Sequence, residues 1–242
     1  MNVFLAGASG AIGRRLVPLL VKAGHAVIGT TRSTERAAEL KRAGATPAVL
    51  DVFDAAAVQQ AVAAARPEIV IHQLTDLPHE FDPAKMPTYY PRNARIRTEG
   101  TRNLIAAAQA ASARRLIVQS IAFGYAPEGE PHPETDPLNI AEGPRAVTIR
   151  GTVVMEEQVL GAEGMEGILL RYGLLYGPGT WYPESAPRPA LHVDAAAQAA
   201  LLAMTRGGPG VYNIADDDGV VSIEKARREL GFDPAFRIKS EA

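Results

Sequence analysis

The chain has 242 residues, 47% of them hydrophobic, which suits one large α/β unit or such a unit with a small appendage. A net charge of −2 gives no electrostatic reason to expect nucleic acid or an anionic membrane, and the absence of cysteine excludes disulfides and thiolate–metal sites. No apolar run is long enough to span a bilayer, and the first one breaks at glycine, unlike a signal peptide, so a soluble cytoplasmic protein is the expectation.

The apolar run at residues 3–6 is too short for a helix and meets Gly7-Ala-Ser-Gly10-Ala-Ile-Gly13. Apolar side chains then recur at helical spacing: Ile12, Leu16, Leu19, Leu20 and Ala23. Strand, glycine turn and helix in this order form the context of a dinucleotide-phosphate site. A Cβ at Gly7 or Gly10 would hold a diphosphate away from the N–H groups at the helix start, whereas Gly13 lets the helix pack closely on the sheet. Pro18 falls inside this helix and should remove one backbone hydrogen bond.

Further short apolar runs at 26–30, 47–50, 69–74, 116–119 and 168–172 alternate with helical patterns. Those helices are expected after Ser33, after Asp54 and from about 93 to 111, with Ser33 and Asp54 as N-caps. Fully apolar strands separated by helices predict an α/β fold with a doubly wound parallel sheet, the Rossmann arrangement. Residues 127–144, rich in Pro, Glu and Gly, read as a long surface loop. A helix over 147–160 follows, then the 168–172 strand, a loop from Gly177-Pro178-Gly179, and a helix over 195–204 capped by Asp194. A strand at 211–214 and a helix at 223–230 finish the chain.

In this order the segments resemble the extended short-chain dehydrogenase/reductase family, also called the nucleotide-sugar epimerase/dehydratase family, over nearly the whole chain. The resemblance rests on Gly7 to Gly13, Leu50-Asp51-Val52, Val70-Ile71-His72-Gln73 and Asn93 through Glu99-Gly100-Thr101-Arg102-Asn103-Leu104. It continues in Leu170-Arg171-Tyr172-Gly173-Leu174-Leu175-Tyr176-Gly177-Pro178-Gly179, His192-Val193-Asp194 and Lys225 to Gly231. It implies a dinucleotide-binding part over 1–176 and, within one compact unit, a reduced substrate-binding cap with C-terminal elements over 177–242. Gly7, Ser9, Gly10, Ala11 and Ile12 would form the diphosphate turn. Asp51 would accept from the adenine amino group with Val52 beside the ring, although Asp51 could also be a turn residue leading into a helix. Gln73, Leu74 and Thr75 would border a ribose, and Tyr172, Gly173 and Leu174 would approach the nicotinamide carboxamide. The helices at 93–111 and 147–160, the second carrying Val153-Val154, pair across a two-fold axis in this family, which implies a homodimer.

The second strand bears on the cofactor. A carboxylate at its end binds the adenosine ribose diol and repels a 2′-phosphate. Here the segment is Gly29-Thr30-Thr31-Arg32-Ser33, with Arg36 one helical turn beyond Arg32. Two guanidiniums and a hydroxyl suit a phosphate dianion, so NADP is expected ahead of NAD, although Arg32 could instead stack on adenine.

Members of the family that move hydride use a Tyr-x-x-x-Lys pair, whose Lys lowers the Tyr pKa. The matching segment here gives Ile149 and Val153, or Thr148 and Thr152 in the neighbouring register, so neither supplies an ionisable pair. Ser120, Tyr125 and Tyr172 are the candidate catalytic hydroxyls, each with a structural alternative, and Arg145 or Arg150 could stabilise an anionic intermediate. His72 reads as packing. His79, His132 and His192 lack metal-ligand spacing, and Asp216-Asp217-Asp218-Gly219 lacks the bidentate Glu of a calcium loop, so no metal site is expected. The links at 180–191 and 214–225 are short for the family. They imply either a reduced cap over an open site or a sequence lacking segments of a longer one. The expected function is NADP-dependent oxidation or reduction of a small organic carbonyl or alcohol. The alternatives are an epimerase- or dehydratase-like isomerase that retains the cofactor, and a non-catalytic NADP(H)-binding sensor or partner-binding module.

Overall fold

The computed structural model describes residues 1–78, 80–140 and 142–239; His79 lies outside them. The first half alternates strictly: β1 (Asn2–Ala6), α1 (Ala11–Lys22), β2 (Ala26–Thr31), α2 (Thr34–Arg42), β3 (Thr46–Val49), α3 (Ala55–Ala65) and β4 (Ile69–His72). Next come α4 (Met86–Arg95), a π-helical turn (Ile96–Gly100), α5 (Thr101–Ala110), β5 (Arg115–Ile121), α6 (Ala146–Leu160) and β6 (Glu166–Tyr172). The chain closes with β7 (Leu174–Tyr176), β8 (Ala190–His192), α7 (Val193–Leu202), β9 (Gly210–Ile214) and α8 (Glu224–Leu230).

Seven strands form one sheet in the order β3–β2–β1–β4–β5–β6–β9, every pairing parallel. The expected doubly wound sheet is therefore present, and it is apolar on both faces because helices cover both. Along each strand alternate residues go to opposite layers. Leu5, Ile71, Ile117 and Leu170 pack with α1 and α7, whereas Phe4, Val70, Leu116 and Leu169 pack with α3, α5 and α6. β9 comes from the C-terminal part yet completes the same sheet.

Local chemistry sets the element ends. The Ser33 hydroxyl accepts from the Arg36 N–H at 3.3 Å and the Asp54 carboxylate from the Ala57 N–H at 3.0 Å, the two caps the sequence predicts. Pro18 lies inside α1, which continues past it to Lys22. The helix expected from about residue 93 starts earlier, at Met86. Pro87 stands in its first turn, where a proline's missing N–H has no helical partner to lose, whereas Pro91 lies inside the helix. The cap of α7 is His192 rather than Asp194, since the helix begins at Val193 and the His192 Nδ1 accepts the Asp194 N–H at 3.1 Å. Asp194 instead holds Arg15 at 2.6 Å and the Ile238 N–H at 3.0 Å. The two-stranded pair of β7 and β8 was not expected from sequence. In the turn after β9, Asp218 accepts from the Ala190 and Val220 N–H groups at 3.0 and 3.2 Å. On α6, Val154 is exposed, while Val153 packs beside Ile121, Leu138 and Ile149. Among the described residues no helix is long and apolar enough to cross a membrane.

Candidate functional site

A groove of about 310 Å³ opens at the C-terminal ends of the strands, where the order reverses between β1 and β4. Gly7, Ser9 and Gly10 line it from the first turn, Arg32, Ser33 and Arg36 from the end of β2 and the start of α2, and Asp51 and Val52 from the turn after β3. Gln73, Leu74 and Thr75 close it after β4. Eleven of the residues nominated for cofactor binding thus share one cavity. Ala11 and Ile12 do not line it, nor do Tyr172, Gly173 and Leu174. A Cβ at Gly173 would lie 2.7 Å from the Ala190 carbonyl oxygen, so that glycine serves the approach of β8.

Sequence reasoning missed Thr30, Thr31, Phe53, Ile96 and Leu104, which also line the groove. The Thr30 hydroxyl accepts the Gly7 N–H at 3.1 Å, and the Ser9 hydroxyl donates to the Thr31 Oγ1 at 3.1 Å. These bonds tie the glycine turn to β2; consecutive threonines at a strand end are their one trace in the sequence. Asp51 lines the groove, and its carboxylate accepts the Phe53 N–H at 3.0 Å, the turn role weighed for it.

The floor of the groove leaves room for a ligand because the residues there are glycine. Gly7 has φ +88°, and a Cβ on it would sit 2.8 Å from the Gln73 backbone. At Gly13 a Cβ would run into the Gly7 and Ala8 carbonyl oxygens, so this glycine fixes α1 against the turn. Gly10 is the N-cap of α1 and offers no side-chain cap, leaving the first-turn N–H groups to another acceptor. Gln73 supplies a complementary acceptor. Tyr172 Oη donates to the Ala196 carbonyl at 3.2 Å, so it can only accept from Gln73, which turns the Gln73 Nε2 toward it at 3.4 Å. The Gln73 Oε1 is thereby left buried and without a partner at the groove wall, in want of a donor such as a ribose hydroxyl. These residues fit a dinucleotide.

At the β2 end of the groove the charge is positive. Arg32, 60% exposed, lies 3.9 Å from Asp76, but Asp76 is already gripped by Arg92 through two bonds of 3.0 Å. Arg32 is therefore free to turn to an anion in the groove. Ser33 accepts from Arg36 N–H as a cap, and its own hydroxyl proton remains available to donate.

Toward the far end of the sheet the three nominated hydroxyls are all committed inside the protein. Ser120 is fully buried and donates to the Glu156 Oε1 at 2.5 Å. Tyr125 donates to the Asn213 Oδ1 at 2.8 Å and accepts from Arg171 at 2.6 Å, and burial holds its pKa above the ordinary tyrosine value. Tyr172 is 1% exposed, bonded as described, and pushed up further by complete burial. Glu156 and Arg171 form the buried ion pair at the centre of this network, with bonds of 3.0 and 2.7 Å. A second cavity of about 250 Å³ lies beside it, lined by Phe123, Tyr125, Arg145 and Ile149 among others; Arg150 does not line it.

His72 and Arg97 occupy the space behind the groove wall. The His72 Nδ1 accepts the Leu74 N–H at 3.1 Å, so its proton sits on Nε2 facing the Thr101 hydroxyl at 3.1 Å. Burial, and next the charge of Arg97, push its pKa down to about 4. The packing role expected for His72 is thus that of a neutral imidazole. An unfolded chain would bind this proton near pH 6.5, so it carries more protons than the folded state between about pH 6.5 and 4. Stability is full above that window and falls as pH drops, by about 2 kcal/mol at pH 5. Urea unfolding of wild type and His72→Gln at pH 7 and 5 should show this slope only in wild type. An equal slope in both would remove His72 as its source.

Against known proteins, residues 7–175 match the NAD(P)H-binding family. The chain belongs to that family. It is 40% identical over 240 residues to the 3-diazoavenalumate denitrifying reductase of a Streptomyces species, covering 90% of this chain and 77% of that protein. Among solved structures it resembles the UDP-glucose 4-epimerase of Thermotoga maritima, with TM-score 0.78 and 20% identity over 98% of this chain and 94% of that one. It also resembles the Thermus thermophilus UDP-glucose 4-epimerase in complex with NAD, with TM-score 0.77 and 20% identity over 98% and 95% of the two chains. At that identity the epimerases share the fold. NAD(P) is accordingly the cofactor of this family, and the glycine cradle of the groove fits it.

Proposed function

We propose that the protein is an NADPH-dependent reductase that delivers hydride to a small organic acceptor without a tyrosine–lysine pair. The observation that carries this reading is the groove itself, in which the glycine turn is joined to Arg32, Ser33 and Arg36 with no carboxylate at the end of β2. The adenosine end then selects a 2′-phosphate. When bound, NADPH supplies the hydride.

The acceptor is argued from what α6 lacks. Ile149 and Val153 stand where the resemblance would set Tyr and Lys, and Ser120, Tyr125 and Tyr172 have no hydroxyl proton to spare. A carbonyl turning into an alkoxide needs a proton or a strong electrostatic stabiliser. A diazonium carbon does not: hydride forms the C–H bond, the C–N bond breaks, and the electron pair leaves with N₂. The name of the Streptomyces relative couples reduction of a diazo compound to loss of nitrogen, which supports this order of preference. We therefore place a diazo-bearing organic acid ahead of a simple carbonyl or alcohol.

The test follows the label. With NADPH deuterated at one face of C4, an arenediazonium carboxylate should take up deuterium from one face only, with one N₂ released per cofactor oxidised. Firm NADPH binding with no protein-dependent oxidation across diazo and carbonyl acceptors would sink the reductase reading and favour a cofactor sensor.

A further inference from the structure

Arg97 is the buried charge that neither the groove nor the Glu156–Arg171 pair accounts for. It projects from the π-turn at 7% exposure, and its Nη1 donates to the Thr148 carbonyl at 3.0 Å, the Thr148 hydroxyl at 2.9 Å and the Thr152 hydroxyl at 2.5 Å. All three acceptors are neutral. Glu156, a turn further along α6, is committed to Arg171 and Ser120, and His72 is held neutral. Burial pushes the Arg97 pKa down to about 10 against the opposing pull of Glu156, so the guanidinium stays charged at neutral pH. The buried cluster therefore holds one positive charge in excess.

Its position matters as much as its charge. Ile96, the preceding residue, lines the dinucleotide groove, as does Gln73, which follows His72. On its other side Thr148 and Thr152 are the sequence neighbours of Ile149 and Val153. A cation from the facing helix thus reaches the stretch of α6 where a lysine is missing. Its hydrogen bonds tie it to both threonines of the alternative register.

We infer that Arg97 supplies this fixed positive charge in place of a lysine on α6 and biases the bound cofactor toward its reduced form. The inference rests on the reading of the groove as an NADPH site. Oxidised nicotinamide is a cation and reduced nicotinamide is neutral, and the two cofactors are otherwise alike. A guanidinium in a poorly screened interior repels only the oxidised one.

Isothermal titration of the full chain with NADPH and with NADP⁺ tests this without any substrate. Wild type should bind NADPH about tenfold more tightly than NADP⁺. Arg97→Met should bring the two affinities within about twofold of each other, whereas Arg97→Lys, which keeps the charge, should retain most of the preference. Arg97→Gln, still able to bond the threonines, gives the same readout should the Met variant fail to fold. Equal affinities in wild type, or a preference unchanged in a folded neutral variant, would overturn the role of Arg97. Binding of neither cofactor would overturn the reading of the groove, and the inference with it.

Discussion

Glu156→Gln should lower the unfolding free energy by about 3 kcal/mol, the largest stability effect expected of a single polar substitution in this chain. The carboxylate accepts two bonds from Arg171 and one from Ser120, and both members of the ion pair are more than nine-tenths buried. The neutral amide would leave the Arg171 guanidinium inside the protein with no counter-charge. Arg171 also donates to Tyr125 and to the Glu134 and Asp136 carbonyls, so the pair fastens α6, β6 and the loop before α6 together. Replacing both partners, in Glu156→Leu with Arg171→Met, should cost less than Glu156→Gln alone, because no unpaired charge remains. Denaturant titration at pH 7 measures all three. A loss under about 1 kcal/mol for Glu156→Gln would mean that the pair does not hold these elements.

Arg32→Asp should reduce the preference for NADPH over NADH by about a hundredfold. The substitution removes a guanidinium that Asp76 barely engages and sets a carboxylate where the 2′-phosphate would lie. The phosphate loses a charge-assisted bond and meets a like charge. The same carboxylate can accept from the two hydroxyls of an unphosphorylated ribose, so NADH should gain while NADPH loses. Arg36 would soften the loss without cancelling it, because it lines the groove from α2. The dissociation constants of both cofactors for wild type and variant decide the matter. An unchanged ratio would assign Arg32 to stacking on adenine.

The fold was legible because its signals are local. Apolar runs of strand length, the glycine turn and two side-chain caps each declare themselves within a few residues, and their alternation dictates a parallel sheet. The groove was legible for the same reason: in such a sheet the residues just past each strand converge, so Asp51, Gln73 and Arg32 could be placed without knowing any distance. What escaped depends on contacts between distant segments. Nothing within the sequence around Ser120 says that Glu156, 36 residues away, accepts its hydrogen bond. The same holds for Tyr172, whose partner is a carbonyl of α7. Arg97 reads as one basic residue in a helix, and only the packing of the π-turn on α6 shows that two threonines enclose it.

NADPH and NADH titrated into the wild-type protein, followed by cofactor fluorescence and thermal stabilisation, distinguish an NADPH-dependent reductase from a protein whose glycine turn is only structural. NADPH should bind clearly, with a marked preference over NADH. Binding of neither would contradict it, leaving the glycine turn a structural feature and the reductase reading without support.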